Sequence, residues 1–373
     1  METHRGHAPM VSIIVLFADG AEVTVECLRA LAKCTTALPF EVILVDNGSQ
    51  EKERALLERG IAKLRFLTLQ FIQFPVNVGY ARGSNLAAAK ARGKILVFLN
   101  NDCIVTRGWL TPLVSFLERY PGVVAVQPKL RSNILKAYFD YSGGAGGFLD
   151  RFGYPFTRGR IFDSIEKDIG QYDDPCEITW ASGSCFAIRT QALWDMGGFD
   201  EYFFSYFEEI DLCVRLRERG YRIFSVPESL VYHYGSYTSN RNLGRKIYMN
   251  HRNNLYFVLK HNSLWPYFPL FILRCLFDIG SILYYLSERR FSFVLSVLKA
   301  YGALVWHLPI FLRTKVFQFS GRSLHSLATV YPGSIVLDYF LFRRRTYDAV
   351  MRRNVGGRQN FKHYREVTFF ENR

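Results

Sequence analysis

The sequence lacks the cysteine pattern of a disulfide-bonded or zinc-binding protein. Its seven cysteines are scattered, with no CxxC pair and no regular spacing. Such an odd set is typical of reduced and mostly buried thiols in a cytosolic compartment. The first apolar run soon meets Asp19 and Glu22. We therefore expect a buried first strand there and not a signal peptide.

Two nucleotide-binding signatures are also missing. The sequence contains neither GxGxxG nor the P-loop pattern GxxxxGK followed by Ser or Thr, so the corresponding dinucleotide and P-loop sites have no support. A composition of 49% hydrophobic and 16% aromatic residues excludes a disordered chain. With 373 residues, the chain can hold one large domain with an appendage or two ordinary domains.

Positive charge is unevenly distributed along the chain. Residues 241–373 contain 21 Lys and Arg against 6 Asp and Glu, whereas residues 1–240 contain 26 against 27. We therefore divide the chain into a near-neutral domain at 1–240 and a basic, aromatic-rich helical region at 241–373. The basic region predicts an anionic partner, either lipid headgroups or nucleic acid. Its aliphatic content favours lipid, and the sequence of this region shows no recognisable nucleic-acid module.

Two long apolar stretches lie in the basic region, at 264–286 and 291–312. Each is long enough to cross a bilayer. Arg274, Asp278 and Lys299 fall within them, however, and charges in the middle of a span are expensive in hydrocarbon. We expect interfacial helices that lie on the membrane. A spanning hairpin and a soluble helical subdomain or dimer interface are the alternatives.

Short apolar runs alternate with mixed stretches over the first part of the chain. They predict strands at 11–17, 40–46, 64–71 and 94–100, and helices at 21–35, 51–60 and 83–92. Continuous Val, Ile and Leu runs separated by helices indicate parallel strands covered on both faces, hence an α/β fold. Further along, the pattern predicts a long functional loop at 131–176, a helix at 208–220 and a pair of extended segments at 222–235.

Polar clusters follow three of the predicted strands, at 17–19, 46–49 and 100–102. Ligands of an open parallel sheet lie beyond the carboxyl ends of its strands. Asp46 could accept hydrogen bonds from a nucleobase or ribose there, or it could cap the helix that follows. The Gly-rich segment 77–85 opens a helix, where Arg82 could meet a phosphate. A loop with a helix cap explains its glycines equally well.

Asp102 ends a buried strand with a carboxylate, which could hold a hard divalent cation. One carboxylate alone holds such a metal poorly, so a second protein ligand is required. His233, near the end of the last extended segment, is a candidate for that ligand. A lone histidine is more often structural.

Three carboxylates, Glu208, Glu209 and Asp211, directly follow an aromatic run at 202–207. Mutual repulsion and desolvation would raise at least one of their pKa values, as a general base requires. The alternative is an acidic helix N-terminus, which the helix dipole favours.

These pieces occur together and in one order, and in that order they resemble the inverting family 2 glycosyltransferases. The resemblance covers about residues 11–260 and rests on SIIVLF, VDNGS, NVGYARGSNLA, FLNND, the run from Ala181 to Gly220, and VYHYGS. Bacterial rhamnosyltransferases and galactofuranosyltransferases are the most similar subgroup. The resemblance implies a GT-A fold, in which a Rossmann-like nucleotide-binding half with a mixed central sheet is followed by an acceptor half.

The resemblance also implies roles for individual residues. Asn100 and Asp102 occupy the outer positions of the family's Asp-x-Asp metal motif, and His233 matches a metal-binding histidine. Because Asn100 replaces an Asp, the ligand charge is lower here. The residues expected to bind the nucleotide-diphosphate sugar donor are Phe17, Asp46, Asn77, Arg82, Asn85, Asn101 and Trp180.

The general base aligns best with Glu209, where the family usually has Asp. Asp211 is the other catalytic candidate and would more readily orient the acceptor, and Glu208 also stays open. The implied reaction is a single displacement with inversion, assisted by Mn²⁺ or Mg²⁺.

We expect the acceptor to be a lipid-linked or cell-surface glycan, such as one carried on a polyprenyl diphosphate. The protein would then act peripherally at the cytoplasmic face of the cell membrane. We expect no nucleic acid partner, and a homo-oligomer is possible. Two alternatives remain: a non-catalytic scaffold, which the departures at Asn100 and Glu209 favour, and a sugar nucleotidyltransferase. The latter would need basic residues near its start, and residues 11–24 contain none.

Overall fold

The computed structural model describes residues 9–34, 38–64, 68–235, 243–317 and 323–352, without the side chains of 264–266 and 311–317. Four apolar runs form the parallel part of a nine-stranded sheet, in which β1 pairs with β2 and β4, and β2 pairs with β3. These strands are β1 (Val11–Phe17), β2 (Phe40–Asn47), β3 (Leu69–Phe74) and β4 (Ile95–Asn100). The helices that connect them are α1 (Ala21–Ala32), α2 (Glu51–Ile61) and α3 (Tyr80–Ala88).

Two of the predicted boundaries in this part are wrong. The strand expected at 64–71 begins at Leu69 and continues to Phe74. The helix expected at 83–92 begins and ends earlier, at Tyr80 and Ala88. It ends there because the chain must pass close to β1 at Gly93, where a β-carbon would lie 2.5 Å from the backbone nitrogen of Ser12.

The other half of the sheet is mixed, as expected. Its strands are β5 (Cys103–Val105), β6 (Val123–Ser132), β11 (Cys176–Glu177), β12 (Cys185–Arg189) and β13 (Arg222–His233). Strand β12 runs antiparallel to β4 and β6, and β13 runs parallel to β6. The predicted pair of extended segments at 222–235 is therefore one strand. The helices of this half are α4 (Leu110–Arg119), α5 (Thr190–Asp195) and α6 (Glu208–Glu218).

The stretch 131–176 is not the long loop that we predicted throughout, because residues 147–165 form four strands of a second sheet. Its strands are β7 (Gly147–Asp150), β8 (Pro155–Thr157), β9 (Arg160–Ile161) and β10 (Ser164–Ile165). Strands this short carry too few residues for a visible alternation of side chains. Turns at Gly153 and Gly159, with φ of 79° and 101°, join β7 to β8 and β8 to β9.

A strand from the basic region completes this second sheet. Strand β14 (Val330–Tyr331) pairs in parallel with β7. The hydroxyl of Thr179 donates to the carbonyl oxygen of Thr329 at 2.7 Å, and the amide of Ile335 donates to Asp150 Oδ2 at 3.0 Å. Contacts therefore cross the boundary at residue 240 that the charge distribution indicates. The division of the chain at this boundary stays a prediction.

Three long helices follow the sheets: α7 (Leu243–Lys260), α8 (Leu264–Ser287) and α9 (Phe291–Phe317). A short helix, α10 (Tyr347–Met351), ends the described chain. Both apolar stretches are thus helical, and the structure has two helices long and apolar enough to cross a membrane. Many apolar side chains of α8 and α9 are exposed, among them Phe268, Ile272, Leu276, Leu283, Leu298 and Trp306.

The charges of α8 face the protein and not this apolar surface. Arg274 and Asp278 are each 1% exposed and form an ion pair with each other. Arg274 Nε donates to Asn254 Oδ1 of α7 at 2.9 Å, and the hydroxyl of Tyr301 in α9 donates to Asp278 Oδ2 at 2.6 Å. Because these partners satisfy both charges inside the protein, the outer face of the helices remains apolar.

Replacing Arg274 with leucine should destabilise the protein by about 3–5 kcal/mol, because Asp278 would stay buried without its main counter-charge. The matched control is Lys299→Leu, which removes an exposed lysine from the neighbouring helix and should change stability by less than about 0.5 kcal/mol. Thermal unfolding in detergent, followed by circular dichroism, measures both. Equal effects of the two variants would contradict the buried position of Arg274.

Candidate active site

A cavity of about 260 Å³ opens at the carboxyl ends of β1, β2 and β4. Six predicted site residues line it: Phe17, Asn77, Asn100, Asn101, Asp102 and His233. Asn47, which follows Asp46 in β2, also lines the cavity, and its Oδ1 accepts from the amide of Val78 at 3.0 Å. The rule that ligands lie beyond strand ends therefore predicts most of this lining.

His233 lies between two carboxylates at the floor of this site. Its Nε2 is 3.0 Å from Asp102 Oδ1, and its Nδ1 is 3.1 Å from Asp140 Oδ2. All three residues are at least 96% buried. Among the described residues, neither ring nitrogen of His233 makes a hydrogen bond of ordinary geometry. The pairing of β5 with β13, which sets Cys103 opposite His233, brings Asp102 and His233 together.

The electrostatics of this group suit a divalent cation. Burial alone would lower the pKa of His233, but the carboxylates of Asp140 and Asp102 raise it well above its usual value. Cys103 lies close enough to join them as a ligand, yet burial raises the pKa of its thiol well above the ordinary value. A soft thiol is in any case a poor match for hard cations such as Mn²⁺ and Mg²⁺, which prefer oxygen ligands. The available donors are therefore carboxylate oxygen and imidazole nitrogen, a set that fits Mn²⁺ or Mg²⁺ with substrate phosphates as further ligands.

Asp140 is a residue of this site that the sequence did not reveal. A carboxylate beside the second nitrogen of a metal-binding histidine fixes the orientation of the ring. Asp140 also accepts a hydrogen bond from the amide of Ser142 at 2.7 Å. It lies in the stretch 131–176, where no motif marks it.

Glu209 lies behind another wall of the cavity. Its Oε1 is close to Gly183, where a β-carbon would be 3.4 Å away. The carbonyl oxygen of Gly183 accepts a hydrogen bond at 3.1 Å from the hydroxyl of Tyr80, which lines the cavity. Within the described residues, Oε2 of Glu209 and Oε2 of Glu208 are buried without hydrogen-bond partners. Tyr80 was not predicted, although it belongs to the Gly-rich segment.

Burial raises the pKa values of both glutamates. For Glu208 the effect of burial is increased by the neighbouring carboxylate of Glu209, and its pKa lies well above the usual value. Burial also raises the pKa of Glu209, while backbone hydrogen bonds, including one from Gly183, oppose the shift. A carboxylate with a raised pKa is a stronger base, so Glu209 suits proton abstraction near neutral pH.

Asp211 has a different environment and does not line the cavity. Its carboxylate contacts Arg215 at 2.7 Å, Lys260 at 2.7 Å and His261 at 2.9 Å. Burial alone would raise its pKa, but Arg215, Lys260 and His261 together hold it well below the usual value. Such a paired carboxylate is a weak base. Its contacts instead attach α6 to the end of α7.

Four of the predicted donor-binding residues do not line the cavity. Both oxygens of Asp46 are engaged, by the amide of Ser49 at 2.8 Å and by Arg54 Nε at 2.7 Å. The Asp46–Ser49 contact forms a turn before α2, but the N-cap residue of that helix is Gln50, so the alternative that Asp46 caps it is wrong. Arg82 is exposed and lies 3.8 Å from Glu201.

The other two tie distant segments together. Asn85 accepts from the amide of Phe199 and donates to its carbonyl oxygen, each at 2.9 Å. Trp180 is buried, and its Nε1 donates to the carbonyl oxygen of Phe148 at 2.8 Å. A role of these four residues in donor binding stays a prediction.

Residues 12–197 match the model of the family described as glycosyl transferase family 2. The chain belongs to this family. It is 32% identical over 230 residues to the O-antigen biosynthesis protein RfbC of Myxococcus xanthus, a match that covers 61% of this chain and only 17% of RfbC. It is 25% identical over 282 residues to the N-acetylglucosaminyl-diphospho-decaprenol L-rhamnosyltransferase of Mycobacterium tuberculosis, which covers 69% of this chain and 86% of that protein.

The fold agrees with this assignment. The crystal structure of GalNAc-T7 with UDP, GalNAc and Mn²⁺ is similar with a TM-score of 0.52 at 17% identity, over 67% of this chain and 48% of that chain. The GT-A fold and the resemblance to family 2 that the sequence indicates are both confirmed.

The loop before α6 of this family 2 glycosyl transferase is strained. Phe204, Tyr206 and Phe207 have φ of 61°, 70° and 74°, a region that residues other than glycine seldom adopt. Phe204 and Tyr206 line the cavity, and Phe207 directly precedes Glu208. Strain of this kind persists only where surrounding contacts hold the backbone, and it is frequent at functional sites.

Two consecutive residues of α7 hold this loop. The side-chain nitrogen of the fully buried Asn253 lies 3.0, 2.8 and 2.6 Å from the carbonyl oxygens of Phe203, Ser205 and Tyr206. Arg252 Nη2 donates to the carbonyl oxygen of Phe203 at 2.9 Å. Sequence analysis missed both residues, because a polar pair in a helix gives no sign of the distant carbonyls that it contacts.

Replacing Asn253 with alanine should lower the free energy of unfolding by about 1–3 kcal/mol, because buried carbonyl oxygens lose their donor. Asn250→Ala is the matched control. Asn250 lies one turn earlier in α7 and donates only within the helix, to the carbonyl oxygen of Lys246 at 2.9 Å. Its replacement should cost less than about 0.5 kcal/mol. Chemical unfolding monitored by tryptophan fluorescence compares them, and a control as destabilised as Asn253→Ala would refute the anchoring role.

Proposed function

We propose that this protein transfers a sugar from a nucleotide-diphosphate sugar to an acceptor hydroxyl with inversion at the anomeric carbon. The observation that carries the proposal is that two separate groups lie beside one cavity. Asp102 and His233 form a buried carboxylate–imidazole pair on its floor, and Glu209, a carboxylate with a raised pKa, lies behind the wall formed by Tyr80. A displacement at a diphosphate ester needs both a base and charge stabilisation.

In the proposed reaction Glu209 accepts the proton of the acceptor hydroxyl. The acceptor oxygen forms a bond to the anomeric carbon, while the bond from that carbon to the diphosphate breaks on the opposite face. A divalent cation, Mn²⁺ or Mg²⁺, held by Asp102 and His233 would neutralise negative charge on the departing diphosphate. Asn100 lines the same cavity and is a further candidate for contact with the cation. Asp140 orients His233, and Asp211 positions α6.

The proposed donor site is the part of the cavity next to the carboxyl ends of β1 and β2. Phe17 at the end of β1, Asn77 after β3 and Asn101 after β4 line the cavity. Asn101 is fixed there, because its Nδ2 donates to the hydroxyl of Thr24 at 2.8 Å and to the carbonyl oxygen of Asp19 at 3.1 Å. Its backbone and the neighbouring Asn100 are therefore held rigidly toward the ligand.

We infer that the acceptor is a lipid-linked or cell-surface glycan. The Mycobacterium tuberculosis relative is named for an acceptor on diphospho-decaprenol, and the Myxococcus xanthus relative for O-antigen biosynthesis. The exposed apolar face of α8 and α9 and the exposed Arg289 and Arg290 between these helices suit an anionic membrane surface. The protein would lie peripherally on the cytoplasmic face.

The test of the reaction is release of nucleoside diphosphate from a panel of UDP-, GDP- and dTDP-sugars. The protein is supplied in detergent with membrane-lipid extract, and with Mn²⁺, Mg²⁺ or EDTA. We expect turnover of one donor with a metal and none with EDTA. Glu209→Gln should reduce turnover by about 10²–10⁴-fold, whereas Glu58→Gln, at an exposed position of α2, should leave it unchanged.

In the wild-type protein, turnover should also fall as the pH drops through the raised pKa of Glu209, because the protonated carboxyl cannot accept a proton. Full activity of Glu209→Gln would remove this residue from the role of base. Turnover that is unchanged by EDTA would contradict the role of the metal.

Membrane binding is tested on the outer face of the helices. Leu283→Glu combined with Leu298→Glu places charges where two exposed leucines now lie, and should abolish co-sedimentation with phosphatidylglycerol vesicles because charge opposes insertion. Leu56→Glu, at an exposed leucine of α2, is the matched control and should bind as the wild type does. Undiminished binding of the double variant would contradict this surface.

A further inference from the structure

A second and larger cavity, of about 740 Å³, lies beside the candidate active site. One wall comes from the stretch after β6 and from the residues that follow β13, and the other comes from α7 and the last turns of α8. Its lining includes Asp140, Tyr141, Tyr234, Lys246, His251 and Tyr285. Of these residues, only Asp140 has a role in the mechanism proposed above.

One layer of residues separates this cavity from Asp102 and His233, the candidate metal ligands. Asp140, which lines the second cavity, is 3.1 Å from His233 Nδ1. Tyr234, which also lines it, donates from its backbone amide to the carbonyl oxygen of Asp102 at 3.0 Å. A molecule bound in the second cavity would therefore lie next to the site where the sugar is transferred.

The lining has the chemistry of a site for a sugar attached to an anion. Tyr141 is 42% exposed, so part of its side chain is open to contact with a ligand. Lys246 Nζ lies 5.4 Å from the centre of that ring, and Arg160 also packs on it. Cations beside an exposed aromatic ring can bind a phosphate while the ring binds the apolar face of a sugar.

The far end of the cavity reaches the apolar helices. Tyr285 lines the cavity and lies in the last turn of α8, two residues after the exposed Leu283. The exposed Arg289 and Arg290 follow directly. The cavity thus runs from the metal candidate to the surface for which we propose contact with the bilayer.

We propose that the second cavity is the acceptor site, and that it binds a saccharide linked through a diphosphate to a lipid. Lys246 contacts the diphosphate, and Tyr141 contacts the adjoining sugar. The lipid passes Tyr285 and continues along the outer face of α8. This proposal rests on the proposed glycosyl transfer. It adds where the acceptor binds and which residues select it.

The test measures binding directly, with two probes that share the same head. Farnesyl-diphospho-N-acetylglucosamine carries a lipid, and methyl-diphospho-N-acetylglucosamine does not. Lys246→Met and Tyr141→Ala should each weaken binding of the farnesyl probe by about tenfold or more, the loss typical of a charge-assisted contact. Lys90→Met, at an exposed lysine just after α3, should bind like the wild type.

Binding of UDP, GDP and dTDP in the presence of Mn²⁺ is measured on the same variants and should not change. Farnesyl-probe binding that is unaffected in both Lys246→Met and Tyr141→Ala, or no binding by the wild type, would overturn the acceptor site. Equal affinity for the two probes would overturn the path of the lipid along α8.

The donor panel described above separates this inference from the proposed function. Failure to turn over any donor, together with binding of the farnesyl probe that depends on Lys246, would leave the diphosphate-saccharide site standing and refute the transferase. Turnover with acceptor KM values unchanged in Lys246→Met and Tyr141→Ala would do the reverse.

Discussion

Asp211 carries a buried negative charge on which three cationic groups converge. Arg215 comes from its own helix, whereas Lys260 and His261 come from the end of α7. Removing one member of such a buried cluster would leave the charges of the others uncompensated. Because the members come from both α6 and the end of α7, these contacts hold the two helices together. The position of α7 then determines much else. Its Asn253 donates hydrogen bonds to the strained loop before Glu208, and its Asn254 accepts a hydrogen bond from Arg274 of α8. Its outer turns form one wall of the larger cavity.

The parallel half of the fold and the floor of the site could be predicted from the sequence. Apolar runs separated by helices define β1, β2 and β4, and polar residues at the ends of these strands necessarily meet at one edge of the sheet. Asn100 and Asp102 could be placed at the site for that reason, whereas Asn77 could be placed there only from the family resemblance. His233 could be placed there from the family resemblance, and the pairing of β5 with β13 shows its physical cause.

The rest depends on partners far away in the sequence. The sequence predicts Asn85 as a donor-binding residue. In the structure, however, both polar atoms of its side-chain amide form hydrogen bonds with the backbone of Phe199, 114 residues later. Asp140 lies in a stretch whose strands are too short to show a pattern, and its importance comes only from its distance to His233. The two charges of α8, Arg274 and Asp278, also depend on distant partners. The sequence shows that they would be costly in a membrane, but it does not show that they face Asn254 and Tyr301 inside the protein.

The contribution of β14 to the second sheet has a consequence for the order in which the protein can mature. During synthesis the N-terminal part of a chain leaves the ribosome first and begins to fold on its own. Strand β7 can pair with β8, but its other edge gains a partner only when Val330 and Tyr331 have emerged. These two residues follow both apolar helices in the chain. The second sheet therefore stays incomplete until the apolar helices have left the ribosome.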